Sequence, residues 1–269
     1  MKYVFLSITL IIASIGSVGA KEITKDNLAS LPTADVVILG EVHDNAQHHI
    51  GQSEAVLAIR PTAVVFEMLT PMQAAKITPQ LLKDQDALKA TLDWDASGWP
   101  DFALYYPVFE ALGGAKVYGA ARSRDEVRRA FDEGAAAVFG QKAALFGLEQ
   151  PLPTDQLEQR MQEQFEAHCD AMPLEMMGGM VEAQRFRDAA FAAVVVQAFE
   201  EVGGPVVLIA GNGHARTDWG VPAMLAAGAP DLSVLVVGFV EAPAEAEHPF
   251  DLWVVTEPAV REDPCLAFK

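Results

Sequence analysis

Short apolar runs recur along the chain at 36–39, 63–66, 115–118, 206–210, 234–240 and 252–256, and longer stretches with helical spacing fill the intervals. Runs without polar alternation predict strands covered on both faces, and their alternation with helices predicts an α/β fold built on a mostly parallel central sheet. Helices are predicted over 47–59, 79–92, 102–112, 124–131, 154–172, 175–202 and 221–226. Pro61, Pro100, Pro151, Pro153, Pro173 and Pro205 fall between these elements, where they end helices rather than kink them. Two wholly helical excursions, before the third and fourth runs, are expected as insertions over the carboxyl-end rim of the sheet. The last run is expected at a sheet edge, where it can run antiparallel, because only the short segment 241–249 separates it from its predecessor.

The first twenty residues read as a secretory signal: Lys2, an apolar stretch from Val4 to Ile15, then Val18-Gly19-Ala20 as a small-residue cleavage site. The stretch is shorter than the roughly 20 residues of a membrane span, so an exported, soluble chain is expected, periplasmic or secreted. About 249 residues remain, enough for a single α/β domain over 21–269. No cysteine stands near the cleavage site to carry a lipid.

A formal net charge of -18, with acidic residues spread along the chain, disfavours nucleic acid and anionic membrane as partners. The two cysteines, Cys169 and Cys265, lie far apart; sequence alone leaves open whether they are bridged or free. Without a C-x-x-C pair, zinc held by thiolates is not expected.

Two Gly-x-x-His motifs carry the candidate chemistry. Gly40-Glu41-Val42-His43 and Gly211-Asn212-Gly213-His214 each follow directly on an apolar run, and in a parallel sheet such positions gather on the rim where ligands bind. Glu67 ends the next run on the same rim, and Arg122 follows the third, suited to a carboxylate or propionate, or to an ion pair with Glu41 or Glu67. His48 and His49 are read as lying on a solvated helix face, behind a cap made by Asp44 or Asn45. Aromatic density from Trp94 to Tyr106, together with Met172, Met176, Met177 and Met180 near His168, would suit either a flat apolar ligand or ordinary core.

With Gly-Glu-Val-His-Asp-Asn at 40–45, Phe-Glu-Met at 66–68, Gly-Trp-Pro-Asp-Phe and Tyr-Tyr-Pro through 107, Glu-Ala-Gln-Arg-Phe-Arg-Asp at 182–188 and Gly-Asn-Gly-His-Ala-Arg at 211–216, the chain resembles the ChaN-like haem-binding uptake proteins of the Tiki/TraB/erythromycin-esterase-like superfamily. The resemblance implies a bacterial protein of iron acquisition that binds haem, a homodimer enclosing paired haems, and traffic with haem uptake machinery at the outer membrane. It implies a tyrosine ligand to iron, Tyr105 or Tyr106, with His168, Met177 and Arg122 as further haem-contacting candidates. Family members are often lipoproteins, and this chain lacks the lipid-bearing cysteine. Another branch of the superfamily resembles metal-dependent hydrolases. By that likeness Glu41, His43, Glu67 and His214 would hold a divalent metal ion and serve as the catalytic candidates.

Overall fold

The computed structural model describes residues 20–263 and 265–266; the leader read in the sequence lies outside them. In chain order the elements are β1 (Lys21–Ile23), β2 (Val36–Leu39), α1 (Ala46–Ile59), β3 (Ala63–Phe66), α2 (Pro71–Ala74), α3 (Gln85–Thr91), α4 (Phe102–Glu110) and β4 (Lys116–Gly119). They continue as α5 (Arg124–Glu133), α6 (Ala135–Phe139), α7 (Thr154–Ala167), α8 (Met177–Val202), β5 (Val206–Ile209), α9 (Asn212–Ala215), α10 (Val221–Gly228), β6 (Val234–Glu241) and β7 (Leu252–Thr256).

The seven strands form one sheet in the order β1-β7-β6-β2-β5-β3-β4, every neighbouring pair parallel. Strand side chains alternate between faces, and the core divides accordingly. Val36, Ile38, Val65 and Leu208 pack beneath α8, α5 and α10, while Val37, Leu39, Val64, Phe66 and Ile209 pack against the side that carries α1 and α4. Both faces are thus covered, which is why these strands read as unbroken apolar runs.

The final strand departs from expectation. β7 runs parallel to β6 and is not at the edge, because the three-residue β1 pairs outside it. The short connection suffices since Leu252 pairs with Val237, well inside the eight-residue β6, so the chain retraces only part of a strand.

Register fixes the rim. Leu39, Ile209 and Phe66 lie side by side across β2, β5 and β3. The ladder continues one step further, with Gly40 N donating to Val237 O, Ala210 N to Leu39 O and Glu67 N to Ile209 O. The loops carrying Glu41, His214 and Glu67 therefore leave three adjacent central strands at one level. A Cβ on Gly40 would sit 2.3 Å from Asn212 Oδ1, and one on Gly211 would sit 2.8 Å from the His43 ring. Glycine at these two positions lets the two Gly-x-x-His loops interlock.

Candidate functional site

Two buried hydrogen-bonded units stand at this rim. In the first, Glu41 is only 2% exposed and receives His43 Nδ1 (2.8 Å) and Tyr105 OH (3.0 Å) on Oε1, and Gln52 Nε2 (2.8 Å) on Oε2. His49 closes the unit from α1, with Nδ1 3.5 Å from Glu41 Oε2 and Nε2 donating to the His43 carbonyl at 2.9 Å. Burial opposes the charge on Glu41, but the hydrogen bond and charge of His43, with His49 and Gln52, hold its carboxyl below the usual range. For His43, burial is outweighed by the Glu41 hydrogen bond and the Glu67 charge, and its pKa rises.

In the second unit, Glu67 accepts from Arg187 Nη2 and from Gly211 N (2.7 Å), with His214 Nε2 at 3.4 Å. Burial is again overcome, by His214, Arg187 and His43, and Glu67 is held below its ordinary pKa. His214 turns Nδ1 to Asp188 Oδ1 (2.6 Å) and Gln184 Nε2 (2.9 Å). Burial lowers the His214 pKa to about 3 and raises that of Asp188 well above a normal carboxylate. His214 thus stands between two carboxyl groups, Nδ1 toward Asp188 and Nε2 toward Glu67, with burial disfavouring its charged form.

Glu41, His43, Glu67 and His214 therefore share one rim, but not as a metal centre. Every carboxylate oxygen of Glu41 and Glu67 already accepts from an N–H or O–H donor, and among the described residues no group of three or more His, Cys, Asp or Glu side chains is disposed to hold a metal ion. The divalent-metal expectation is corrected on that ground.

His48 and His49 are fully buried, not solvated. Asn45 does cap α1, accepting from Gln47 N, and its Nδ2 donates to Glu241 Oε1 at 2.7 Å. His48 Nδ1 accepts from Val42 N and its Nε2 donates to Thr256 Oγ1, each at 2.9 Å, which fixes a neutral ring. Burial lowers its pKa to about 4, against the opposing charge of Glu241. As pH falls below about 6.5 the unfolded chain takes up a proton that the folded chain refuses until about pH 4, so stability is lost across that window, by about 2 kcal/mol at pH 5. Urea midpoints will fall over this range in the parent and less steeply in His48→Gln; equal slopes would exclude His48 as the cause.

Beside the rim, under α5 and α8, opens a cavity of about 740 Å³. Trp99, Phe131, Phe191 and Met180 give it apolar walls, and Arg122, Arg124, Arg128 and Arg187 stand around it. His43 abuts the Trp99 wall edge to face, with ring centroids 4.8 Å apart. On α5, positions 124, 127, 128 and 131 share the cavity-facing side, and on α8 positions 180, 183, 187 and 191 do so, the spacing of a helical stripe. Arg122 pairs with Glu126 (2.6 Å) rather than with Glu41 or Glu67, while Arg124 and Arg128 form no ion pair among the described residues. Two of these four guanidinium groups, Arg124 and Arg128, are thus left to meet an anion in an otherwise largely apolar chamber, Arg187 being paired with Glu67.

Residues 27–225 match the family model described as haem-binding uptake, Tiki superfamily, ChaN. The chain belongs to this family. Among solved structures, its fold is similar to that of ChaN of Campylobacter jejuni, a structure of cofacial haem binding, at 22% identity and a TM-score of 0.61, covering 85% of this chain and 90% of that one. The type III effector HopBA1 is similar at 15% identity and a TM-score of 0.44, with 84% and 88% covered. No protein of curated function matches the chain.

The cavity suits the family's ligand, with room and flat apolar walls for a tetrapyrrole and guanidinium groups for its propionates. The tyrosine expectation fares differently. Tyr105 is fully buried in the stripe Phe102–Tyr105–Phe109 of α4, its hydroxyl on Glu41; burial and that carboxylate push its phenol well above the usual range. Tyr106 donates to Leu82 O on the outer side of α4, and Tyr118 to Glu201. Neither Tyr105 nor Tyr106 lines the cavity. His168 binds Gln164 O at the end of α7, and Met177 is sealed at the start of α8; Met180, one turn later, reaches the wall instead. Gln52, Gln184, Arg187 and Asp188 received no role from sequence, although the last three sit in the family motif at 182–188 as polar residues within an otherwise alanine- and phenylalanine-rich helix face.

Proposed function

We propose that this chain binds haem in the cavity between α5 and α8, as an exported carrier in haem and iron uptake. The observation that carries the reading is the union, in one family member, of an apolar chamber of about 740 Å³ with four arginines at its mouth. Arg124 and Arg128, free of ion pairs among the described residues, would hold the propionates. Trp99, Phe131 and Phe191 would flank the ring. Met68 and Met180 line the chamber and His43 abuts its Trp99 wall, so the donors this wall offers to iron are thioether and imidazole rather than phenol.

Haemin titrated into the purified protein is expected to give a saturating Soret shift. Arg124→Gln/Arg128→Gln together will weaken binding 10- to 100-fold, roughly one to two charge-assisted contacts, whereas Tyr105→Phe and Tyr106→Phe will keep a ligated spectrum. Absence of a Soret shift in the parent would remove the proposal; loss of ligation in either tyrosine variant would restore a phenolate ligand.

The leader-like first twenty residues and the cystine at Cys169–Cys265 support export to an oxidising compartment. Cofacial haem binding in the Campylobacter jejuni protein supports a homodimer with cavities apposed, and the family's description as haem-binding uptake supports delivery to uptake machinery at the outer membrane. Light scattering with and without haemin tests the dimer: a monomer under both conditions would exclude it.

A further inference from the structure

Beside the stripe of α8 that faces the haem cavity lies a second, smaller pocket of about 110 Å³, lined by Arg160, Glu163, Gln184, Gly213, Arg216 and Trp219 among others. Positions 180, 183, 187 and 191 face the large cavity, while 181 and 184 face the small one.

Arg160 is the unusual member. It projects from α7, is 4% exposed, and its Nη2 has no hydrogen-bond partner among the described residues. Its guanidinium lies 5.5 Å from the centroid of the Trp219 ring, and that of Arg216 lies 3.7 Å from the same ring. Contact with a ring face attracts the cation but leaves its N–H groups unsatisfied. A buried guanidinium with an idle donor is costly unless an acceptor meets it. The other acidic groups nearby are engaged elsewhere, Glu163 with Arg216 Nη1 at 2.8 Å and with Gln159, and Asp218 with Arg216; buried Asp188 attracts Arg160 by its charge but forms no ion pair with it, its Oδ1 bonding His214 and its Oδ2 having no hydrogen-bond partner among the described residues. Arg160 forms no ion pair among the described residues.

We propose that a small planar oxyanion, a carboxylate of the size of formate, acetate or bicarbonate, binds in this pocket against the guanidinium of Arg160, beside the side-chain amide of Gln184. The forked N–H groups of arginine match two oxygens of such a group. The volume admits three or four water-sized groups at roughly 30 Å³ each, which fits the four heavy atoms of acetate or bicarbonate and excludes a porphyrin. Gln184 also donates to His214 Nδ1, and His214 faces Glu67 at the edge of the large cavity, so occupancy of the pocket adjoins the rim through one side chain. The assignment stands apart from the haem reading, since no residue of the pocket lines the haem cavity.

The test uses the apo-protein in chloride buffer, with sodium acetate or bicarbonate added at constant pH and ionic strength. Thermal midpoints are expected to rise with the logarithm of ligand concentration above Kd, by roughly 5 to 10 °C at a hundredfold excess, and ¹³C-acetate resonances will shift saturably with that Kd. Arg160→Gln will abolish both effects. Should that variant not fold, Gly213→Leu carries the test: Gly213 lines the pocket and a Cβ there meets only Gln184 Nε2, at 3.8 Å, so a larger side chain takes up pocket volume while Arg160 itself is retained. No saturable response in the parent would overturn the proposal, as would an unchanged response in Gly213→Leu. A response to phosphate and sulfate but not to acetate or bicarbonate would overturn the planar assignment.

Discussion

Replacing Arg187 with methionine will lower the unfolding free energy by about 3 kcal/mol at neutral pH, the lower end of the range for stranding one partner of a buried ion pair, because Arg187 itself is 31% exposed. Glu67, 1% exposed at the end of β3, would keep the Gly211 N–H, His214 Nε2 at 3.4 Å and the charge of His43 to offset its own. The acid response carries the signature. In the parent, Glu67 has a depressed pKa, so its contribution is present above the unfolded value near 4.5 and is lost as pH falls through the lower folded value. Without Arg187 the folded pKa rises, so the gap between variant and parent is widest above pH 4.5 and closes in acid. A second substitution, Glu67→Gln, removes the stranded charge while retaining an acceptor for Gly211 N. The double variant will therefore recover most of the loss, a coupling that urea denaturation of all four proteins measures. Additive losses would show that the two side chains do not act as a pair.

The rim was legible in sequence because its grammar is local. Each strand is an apolar run and each functional residue stands one to four positions beyond it, so the parallel order alone brings Glu41, Glu67 and His214 to one level. What the sequence hid was who would meet them. Asp188, Gln184 and Arg187 approach from the middle of a 26-residue helix that lies between β4 and β5 in the chain. Their signal was present as polar positions breaking an Ala/Phe face, but a helix surface offers many such positions and only its rotation against the sheet selects these. His48 and His49 misled for a related reason. Adjacent histidines near a helix start suggest a solvated face, yet α1 lies between the sheet and α4, so one imidazole reaches Thr256 and its neighbour packs with its ring centroid 4.1 Å from that of Tyr105.

Tyr105 shows the limit of a motif. The spacing Phe102, Tyr105, Phe109 already places the tyrosine on a buried helical stripe, and its hydroxyl completes the shell of Glu41 rather than opening on a ligand. The edge of the sheet was unreadable for the opposite cause. Lys21-Glu22-Ile23 has neither length nor apolar alternation, and only pairing with β7 makes it a strand.

Breaking the Cys169–Cys265 disulfide, by Cys169→Ser or by a reductant, will remove about 4 kcal/mol of stability, since its 96-residue separation closes a long loop whose freedom returns to the unfolded chain. The bond joins the turn after α7 to the C-terminal segment, which is also tied to the body by Arg261, bound to Asp44 (2.7 Å) and Glu241 (2.6 Å). Those ion pairs are partly exposed and screened, so they replace little of the lost constraint. Because the bond restrains the unfolded ensemble and lies outside the cavity proposed for haem, the loss will appear in denaturation midpoints while haemin affinity stays within about twofold, a difference below about 0.5 kcal/mol. Thiol titration of the denatured chain will read no free thiol before reduction and two after it. Two thiols before reduction, or a denaturation midpoint indifferent to reductant, would remove the bond from the account of what holds the C-terminal segment to α7.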